Sequence, residues 1–334
     1  MLFRDIIGQE DIKNHMQKAL REGKISHAYI INGEKESGKM MLAKTFSQAL
    51  FCENGGDEPC GECPSCKKVA HDSHPDLIYV THSKPNIISV KEIREQVVGD
   101  MMIKPYTASR KIYIVEDAQL MNESAQNAIL KSLEEPPEYV TVILLTDNAS
   151  SLLQTIRSRC ILLNIQPVIK EREKIKQELM RTYEMPEYEA EDILNFAQGN
   201  VGKAYSLASS ESFRDVMEDM LNLTSQVSRF RQIEVEKKAE SLKTAGKNGE
   251  IDLKEYLDLL VLWYRDVLLY KATANLDYIY FKDHIREIRK QAQRGSFKNI
   301  NSVLTKIDTS RSQIRANVDV ELVFTLLMQV MKEI

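Results

Sequence analysis

Short apolar runs alternate with amphipathic stretches along the first half of the chain. Five of these runs have the length and apolar character of buried strands, and they cover residues 28–31, 77–80, 111–115, 140–145 and 160–163. The segments between them have helical spacing. Because strands that alternate with helices form parallel sheets, residues 1–166 are predicted to fold as an α/β domain with a doubly wound parallel sheet.

Two helix boundaries in this domain follow from local signals. Ser89 and Glu92 have the spacing of a capping box, which predicts a helix that begins at this point. Asn122 precedes the next predicted helix, and residues 136–137 are both proline. Proline has no amide hydrogen and restricts the residue before it, so this helix is predicted to end there.

The strand pattern stops after Pro167, and the rest of the chain has helical spacing. Residues 167–208 are predicted to form a small helical domain, and residues 209–334 an all-α domain of long amphipathic helices. Apolar residues in the last domain recur at intervals of three and four, at Leu253, Tyr256, Leu257, Leu260, Tyr264, Val267 and Leu268. This pattern favours one buried helical face in the core, with a contact to another subunit as the alternative.

Composition and charge narrow the classes of function. The 334 residues are 43% hydrophobic and 28% charged, which is typical of a soluble protein of two or three domains. A net charge of −4 excludes a chain that is basic throughout, so any contact with DNA is local or shared with partners. No run of about eighteen apolar residues is present, and the first residues lack the apolar core of a signal peptide. The expectation is therefore a cytoplasmic protein without a membrane partner.

Four of the five cysteines are clustered in a short insert within residues 52–66. They are Cys52, Cys60, Cys63 and Cys66. Four thiolates suit tetrahedral Zn²⁺, and a closed shell of four protein ligands predicts a structural rather than a catalytic site. A redox pair or unpaired cysteines are the alternatives, and His71 and His74 are near enough in sequence to be other ligands. Cys160 stands apart in an apolar run and is predicted to be a buried thiol.

A glycine-rich loop follows the first predicted strand and opens a helix, as a phosphate-binding loop must. Its residues 33–40 read GEKESGKM, in which Gly33 and Gly38 allow the turn and Lys39 would neutralise the outer phosphates. The Ser or Thr that holds magnesium in such loops is replaced by Met40, and a thioether is a poor ligand for a hard cation. The sequence therefore predicts a vestigial nucleotide pocket, with an ordinary strand-to-helix loop as the alternative.

The acidic half of this pocket is altered as well. Glu116 and Asp117 follow the strand at residues 111–115, whereas hydrolytic enzymes of this kind have Asp and then Glu. The longer Glu116 would overreach a metal ion, and the shorter Asp117 would lie farther from an attacking water. Thr146, at the end of the next strand, completes the predicted nucleotide-binding residues. Together with Met40, these changes argue against productive Mg-ATP chemistry.

Arg159 follows a predicted helical turn at residues 152–157 and has two possible roles. Its guanidinium can project into a neighbouring subunit and stabilise charge on a transferring phosphoryl group. Alternatively, it caps the carboxyl end of its own helix, where the helix dipole favours a cation. The spacing alone favours the capping role.

Several stretches resemble the clamp-loader ATPases of the AAA+ class. Residues 3–9, FRDIIGQ, resemble the family's opening motif, which includes Ile7 and Gly8 and packs beside the adenine. Residues 127–137 and 158–160 are similar to two further signatures, and the four-cysteine insert occupies the position of the family's zinc module. The resemblance implies an AAA+ domain at 1–166, a helical lid at 167–208 and a helical collar at 209–334.

Within that family, Met40 and the order of Glu116 and Asp117 are similar to the altered pocket residues of a member that does not hydrolyse ATP. Gly202 stands where motor subunits have a sensor arginine, although Lys203 is one residue away. The resemblance implies a stator that closes a five-subunit ring and offers Arg159 to the ATP of an adjacent motor subunit. The implied partners are the tau or gamma motor subunits and delta, and through the complex the sliding clamp and primer-template DNA.

Two other functions remain open from the sequence. One is an ATP-hydrolysing motor subunit of the same complex, in which Glu116 or another acid rescues magnesium binding. The other is a zinc-dependent DNA adaptor that touches nucleic acid through the cysteine insert. The insert disfavours the adaptor, because acidic residues surround its only basic pair, Lys67 and Lys68, and would repel phosphate.

Overall fold

The structure, a computed structural model, describes residues 2–277 and 279–334, without the side chains of Glu211 and Ser212. The chain divides into two compact units. Unit 1 contains Met1–Ile175 and Gly199–Lys203, and unit 2 contains Lys176–Gln198 and Ala204–Ile334. The predicted boundaries at 166/167 and 208/209 stay predictions, since the contacts divide residues 167–208 between the two units.

Unit 1 is built on a five-stranded parallel sheet, which confirms the predicted α/β fold. The strands are β1 Ala28–Asn32, β2 Leu77–Val80, β3 Lys111–Val115, β4 Val140–Thr146 and β5 Ile161–Asn164. Their order across the sheet is β2-β3-β4-β1-β5, and every pair is parallel. Strand β1 therefore lies inside the sheet, between β4 and β5, although it comes first in the chain. Because all pairs are parallel, the carboxyl ends of β1, β3 and β4 lie along one edge.

Helices cover both faces of this sheet. They are α1 Glu10–Glu22, α2 Lys39–Phe51, α3 Pro64–Ala70, α4 Val90–Ile93, α5 Glu123–Glu134 and α6 Gln154–Arg157. Neighbouring strand residues point to opposite faces, so Tyr29 packs in one apolar cluster with Phe46 of α2, whereas Ile30 packs in the other with Ile129 of α5. Both clusters are almost inaccessible to solvent, which explains why the strands have continuous apolar runs.

The predicted helix boundaries in unit 1 are confirmed. Ser89 and Glu92 form a reciprocal capping box at the start of α4, which continues into a π-helical turn at Arg94–Val98. The Asn122 side chain accepts a hydrogen bond from the Ala125 amide at the start of α5. Helix α5 ends at Glu134, before the two prolines.

One predicted strand is less buried than expected. The apolar run at residues 160–163 predicts a buried strand, but β5 forms an edge of the sheet and Leu162 is 43% exposed. An edge strand has a neighbour on one side only, and an apolar run alone does not distinguish it from a central one. Cys160 precedes this strand and packs against the sheet core, where burial raises the pKa of its thiol to about 12.

The remainder of the described chain is helical, as predicted. The helices are α7 Arg172–Tyr183, α8 Glu187–Ala197, α9 Val201–Ala208, α10 Glu211–Gln226, α11 Gln232–Asn248, α12 Leu253–Thr273, α13 Ile285–Arg294, α14 Phe297–Arg315 and α15 Val320–Met331. None of the helices within the described residues has the length and apolar character needed to cross a membrane.

Helix α12 is the centre of the core of unit 2. Five of the seven residues of the predicted stripe are buried, which supports the interpretation as core. Leu259, Leu262 and Trp263 are buried as well, because α10, α13 and α14 all pack against α12. The one-sided helix expected from the spacing is thus a central helix with buried residues around most of its circumference.

Candidate functional site

The predicted nucleotide-binding residues of three strands lie along one edge of the sheet. In the β1–β4 pairing Asn32 is opposite Thr146, so Gly33 continues from β1 beside the end of β4. The Gly33 amide donates a hydrogen bond to the Thr146 carbonyl at 3.0 Å. Glu116 and Asp117 follow the end of β3, the next strand along. Ligands of open α/β sheets bind at the carboxyl ends of the strands, and this is that edge.

In the glycine-rich loop at residues 33–40, backbone carbonyls bind the loop's own lysine. Gly38 has a φ of +90° at the start of α2, a conformation that glycine adopts without strain. The Lys39 ammonium donates to the carbonyl oxygens of Gly33 at 2.6 Å and Glu34 at 2.7 Å. Burial lowers the pKa of Lys39, and the carboxylates of Asp147, Asp117 and Glu116 partly offset that effect. The loop carbonyls therefore hold the ammonium that would otherwise meet a phosphate.

The same loop approaches the first turn of α9 closely. A Cβ atom at Gly202 would lie 2.0 Å from the carbonyl oxygen of Glu36, far inside van der Waals contact. Beside it, the Asn200 side-chain amide donates to the Lys35 carbonyl at 2.9 Å. No side chain, including the arginine of a motor subunit, fits at position 202 without displacement of the loop. At Lys203, the backbone amide donates to the Asn200 side chain.

The remaining predicted magnesium and phosphate residues make other contacts. Met40 is partly buried and packs against the apolar cluster on one face of the sheet. Glu116 and Asp117 are both exposed, and Asp117 has a φ of +49° where it begins a 3₁₀ turn. The Thr146 side chain is buried, and its hydroxyl accepts a hydrogen bond from the Asn148 amide. None of these four side chains forms a hydrogen bond with another of the four.

The opening motif packs against the segment that follows β5. Gly8 has a φ of +69°, and a Cβ atom there would lie 2.6 Å from a methyl carbon of Val168. The next residue, Gln9, forms two hydrogen bonds with the backbone of Gln166. The Gln9 side-chain NH₂ donates to the Gln166 carbonyl, and the Gln9 side-chain oxygen accepts from the Gln166 amide. Ile7 is partly buried at the same place. Glycine is needed at position 8 for both reasons, its positive φ and this close approach.

The four clustered cysteines are brought together and can hold a metal ion. Their sulfur atoms all lie within 4.8 Å of one another, and the sulfurs of Cys60 and Cys66 are 3.9 Å apart. Tetrahedral Zn–S bonds of about 2.3 Å place the sulfurs about 3.8 Å apart, so this arrangement fits such an ion. The Cys63 amide donates to the Cys60 sulfur at 3.4 Å, and the Cys66 amide donates likewise to the Cys63 sulfur.

Two local features shape this cysteine site. Backbone hydrogen bonds from Cys63 and Glu62 lower the pKa of Cys60 to about 6, whereas burial raises the pKa of Cys66. Within the described part of the chain, neither His71 nor His74 joins the four sulfurs. The His74 ring instead stacks on Phe51 at a centroid distance of 4.1 Å. The histidines that were possible alternative ligands are thus not part of the cluster.

In the isolated chain, Arg159 makes the contacts of a helix cap. Its guanidinium donates to the Thr155 carbonyl at 2.9 Å and pairs with the Glu134 carboxylate at 2.8 Å. The side chain is 36% exposed and Glu134 is 48% exposed. Ion pairs with that exposure are worth about 0–1 kcal/mol, so these contacts can be exchanged for others.

Asp76 organises a loop beside the sheet, although no sequence pattern singles this residue out. Asp76 is fully buried. One carboxylate oxygen accepts from the Tyr106 amide at 2.5 Å. The other accepts from the amides of Thr107 at 2.8 Å and Ala108 at 2.9 Å, and from the Thr107 hydroxyl. A lone acidic residue before a strand has no distinguishing pattern, so its partners are visible only in three dimensions.

Two family descriptions match the chain. "DNA polymerase III, delta subunit" matches residues 8–169, and "DNA polymerase III, delta subunit, C terminal" matches residues 218–332. Together they cover most of both units.

Curated relatives agree with this assignment. The tau subunit of DNA polymerase III from Bacillus subtilis is 30% identical over 330 residues, which are 91% of this chain and 57% of the relative. The delta' subunit from the same organism is 27% identical over 320 residues, 94% of this chain and 93% of the relative. A solved gamma subunit-related protein from Thermotoga maritima is 20% identical, covers 97% of this chain and 98% of its own, and has a TM-score of 0.47. On the family descriptions and the curated relatives, the chain belongs to the clamp-loader subunits of bacterial DNA polymerase III.

Proposed function

We propose that the chain is the non-hydrolysing, delta-prime-like subunit of the clamp loader and acts in the cytoplasm as its stator. The observation that carries this proposal is the 2.0 Å approach of the Glu36 carbonyl to the Cβ position of Gly202. The resemblance to motor subunits calls for a sensor arginine at position 202. Here the phosphate-binding loop occupies the space that the arginine would need.

The chemistry of the pocket supports the same proposal. Magnesium needs hard oxygen ligands, and Met40 offers a thioether that packs against the sheet core. Lys39 is held by two loop carbonyls. Nucleotide binding would first have to break these contacts, so the pocket binds ATP weakly and independently of magnesium in this proposal.

A motor subunit is the second candidate, because the tau relative is the more identical of the two Bacillus subtilis relatives. The delta' relative is matched over nearly its whole length, whereas the tau relative is matched over 57%. The altered magnesium residues Met40, Glu116 and Asp117 favour the stator over this candidate.

The proposed metal is Zn²⁺ in a structural role. Cys52 ends α2 and Cys63 caps the start of α3, so a metal ion would join two helices across a loop of mostly polar residues. Such a loop buries little apolar surface, and metal binding would supply the free energy that orders it. Four sulfur ligands leave no open position for a substrate.

The proposed task of the stator is to complete the active site of an adjacent motor subunit. In the complex with tau or gamma and delta, Arg159 would exchange Thr155 and Glu134 for the phosphates of the neighbour's ATP. An arginine finger is worth about 10³- to 10⁵-fold in turnover at the site that it serves. The clamp and primer-template DNA are engaged through the assembled complex.

Arg159→Ala in the reconstituted complex tests this role. We expect the ATP turnover of the adjacent motor subunit to fall by at least about 10³-fold at that site, with assembly of the complex unchanged. Arg159→Lys should be nearly as damaging, since a lysine cannot present a planar fork to the phosphate. Glu134→Gln is the matched control: it breaks the same ion pair but should leave turnover at its normal level. Normal turnover with Arg159→Ala would refute the arginine-finger proposal.

A further inference from the structure

A basic surface lies on α13 and at the start of α14, in a chain that is acidic overall. Residues 282–298 contain six lysines and arginines against two acids, whereas the whole chain has a net charge of −4. The six side chains are all exposed, and we call them the basic surface: Lys282, Arg286, Arg289, Lys290, Arg294 and Lys298.

The helix geometry directs these charges away from the core. Ile288 and Ala292 are buried and form the inner side of α13. Arg286, Lys290 and Arg294 follow one another at intervals of four residues, or about 6 Å along the helix axis, and form an outward row. Among the described residues, none of these three takes part in a salt bridge. The row is thus available to an anionic partner.

Aromatic rings border the row. Phe297, at the start of α14, is 53% exposed. The Lys271 ammonium lies 5.3 Å from its centroid. On the adjoining side, Arg289 donates to the Tyr270 hydroxyl at 2.8 Å, with its guanidinium 5.7 Å from the Tyr270 ring centroid. Positive charge beside an accessible ring is an arrangement that binds both the phosphates and the bases of a single strand, and Phe297 is the accessible ring here.

We propose that the basic surface binds single-stranded DNA, with phosphates on Arg286, Lys290 and Arg294 and a base stacked on Phe297. An acidic peptide would satisfy the charges but would leave the exposed ring without a role, and this favours the nucleic acid. The proposal is independent of the stator function, because it concerns only unit 2 and needs neither nucleotide nor a partner subunit.

The test is the affinity of the isolated 334-residue chain for a fluorescent thymidine oligonucleotide, measured between 50 and 200 mM salt. The triple variant Arg286→Gln, Lys290→Gln, Arg294→Gln should bind at least tenfold more weakly at the lowest salt. Each phosphate contact on a single strand contributes about 0.7 to the slope of log K against log salt, so the slope should fall by about 2. Phe297→Ala should weaken binding about tenfold with the slope unchanged, because stacking releases no counterions.

The matched control removes the same three charges elsewhere in unit 2. Arg229, Lys237 and Lys247 are exposed, and a variant with all three replaced by Gln should bind as tightly as the natural chain. Selective loss in the α13 variant supports the proposal. Equal loss in both variants, no binding by the natural chain at 50 mM salt, or tighter binding of oligoglutamate than of DNA at the same surface would overturn it.

Discussion

Replacement of Asp76 by Asn is the change whose effect the structure defines most closely. The carboxylate accepts four hydrogen bonds, three from backbone amides and one from the Thr107 hydroxyl. An asparagine side chain has one oxygen. In its better orientation that oxygen keeps the contacts to Thr107 and Ala108, but the new NH₂ group then faces the Tyr106 amide, and two donors meet at a distance of about 2.5 Å.

The expected loss follows from these contacts. Hydrogen bonds to a charged group contribute about 1.5–3 kcal/mol each. The variant loses one of these bonds, and in the bonds that remain the acceptor is a neutral amide oxygen instead of a carboxylate. We therefore expect local stability to fall by about 3 kcal/mol, equivalent to about a hundredfold in the opening equilibrium. Asp72→Asn is the control, because Asp72 is 51% exposed and its ion pair with Lys44 is worth less than about 1 kcal/mol.

Hydrogen exchange followed by mass spectrometry measures this loss locally. Amides of β2 and β3 should exchange about a hundredfold faster in Asp76→Asn, whereas those of α12 in unit 2 serve as an internal reference and should not change. An increase below threefold in β2 and β3, or one equal to that of Asp72→Asn, would refute the reasoning.

The pH dependence of the same variant has a defined sign. Burial would raise the pKa of Asp76, but the hydrogen bonds from Thr107, Tyr106 and Ala108 outweigh it, so the pKa is lowered. A carboxyl with a lowered pKa stabilises the fold above its unfolded pKa of about 4, and that stabilisation is lost as the pH falls through the folded value. The difference between natural chain and variant should thus be constant from pH 6 to 8 and shrink below about pH 4.

Two further predictions concern the cysteine cluster and the glycine-rich loop at residues 33–40. Chelation should release one metal ion per chain and expose the segment from Cys52 to Cys66 to proteolysis, while α12 stays protected. The structural role would be contradicted if the chain is isolated without metal, or if the segment is equally resistant to proteolysis after chelation. Gly202→Ala should force the loop at Glu36 to move, at a cost of about 1–3 kcal/mol, and should speed hydrogen exchange in residues 33–39; unchanged exchange there would show that the close approach is absent in solution.

Much of unit 1 could be predicted because its local signals are strong. The continuous apolar runs at β3 and β4 have few alternatives to a buried parallel strand, and the capping box at Ser89 and the prolines after Glu134 mark helix ends directly. The spacing of the cysteines constrained their geometry in the same way. These features depend on neighbours within a few residues, which is the information that a sequence pattern carries.

Contacts between distant segments could not be predicted. The absence of an arginine at Gly202 was visible, but the Glu36 carbonyl that takes its space is more than 160 residues away in the chain. The position of β5 at the sheet edge and the burial of α12 on several sides depend on how whole elements are arranged. An apolar run in the sequence carries no information about that arrangement. Arg159 shows the same limit, since Glu134 belongs to a different helix.

The central claim is that the pocket beside Lys39 no longer supports Mg-ATP chemistry, and titration of the isolated, metal-replete chain with a fluorescent ATP analogue tests it most directly. The titration is done once with magnesium and once with magnesium omitted, and a check afterwards confirms that the cysteine site keeps its metal. The account predicts weak binding that is the same in both conditions. Tight binding that requires magnesium would contradict it and would favour the motor subunit over the stator.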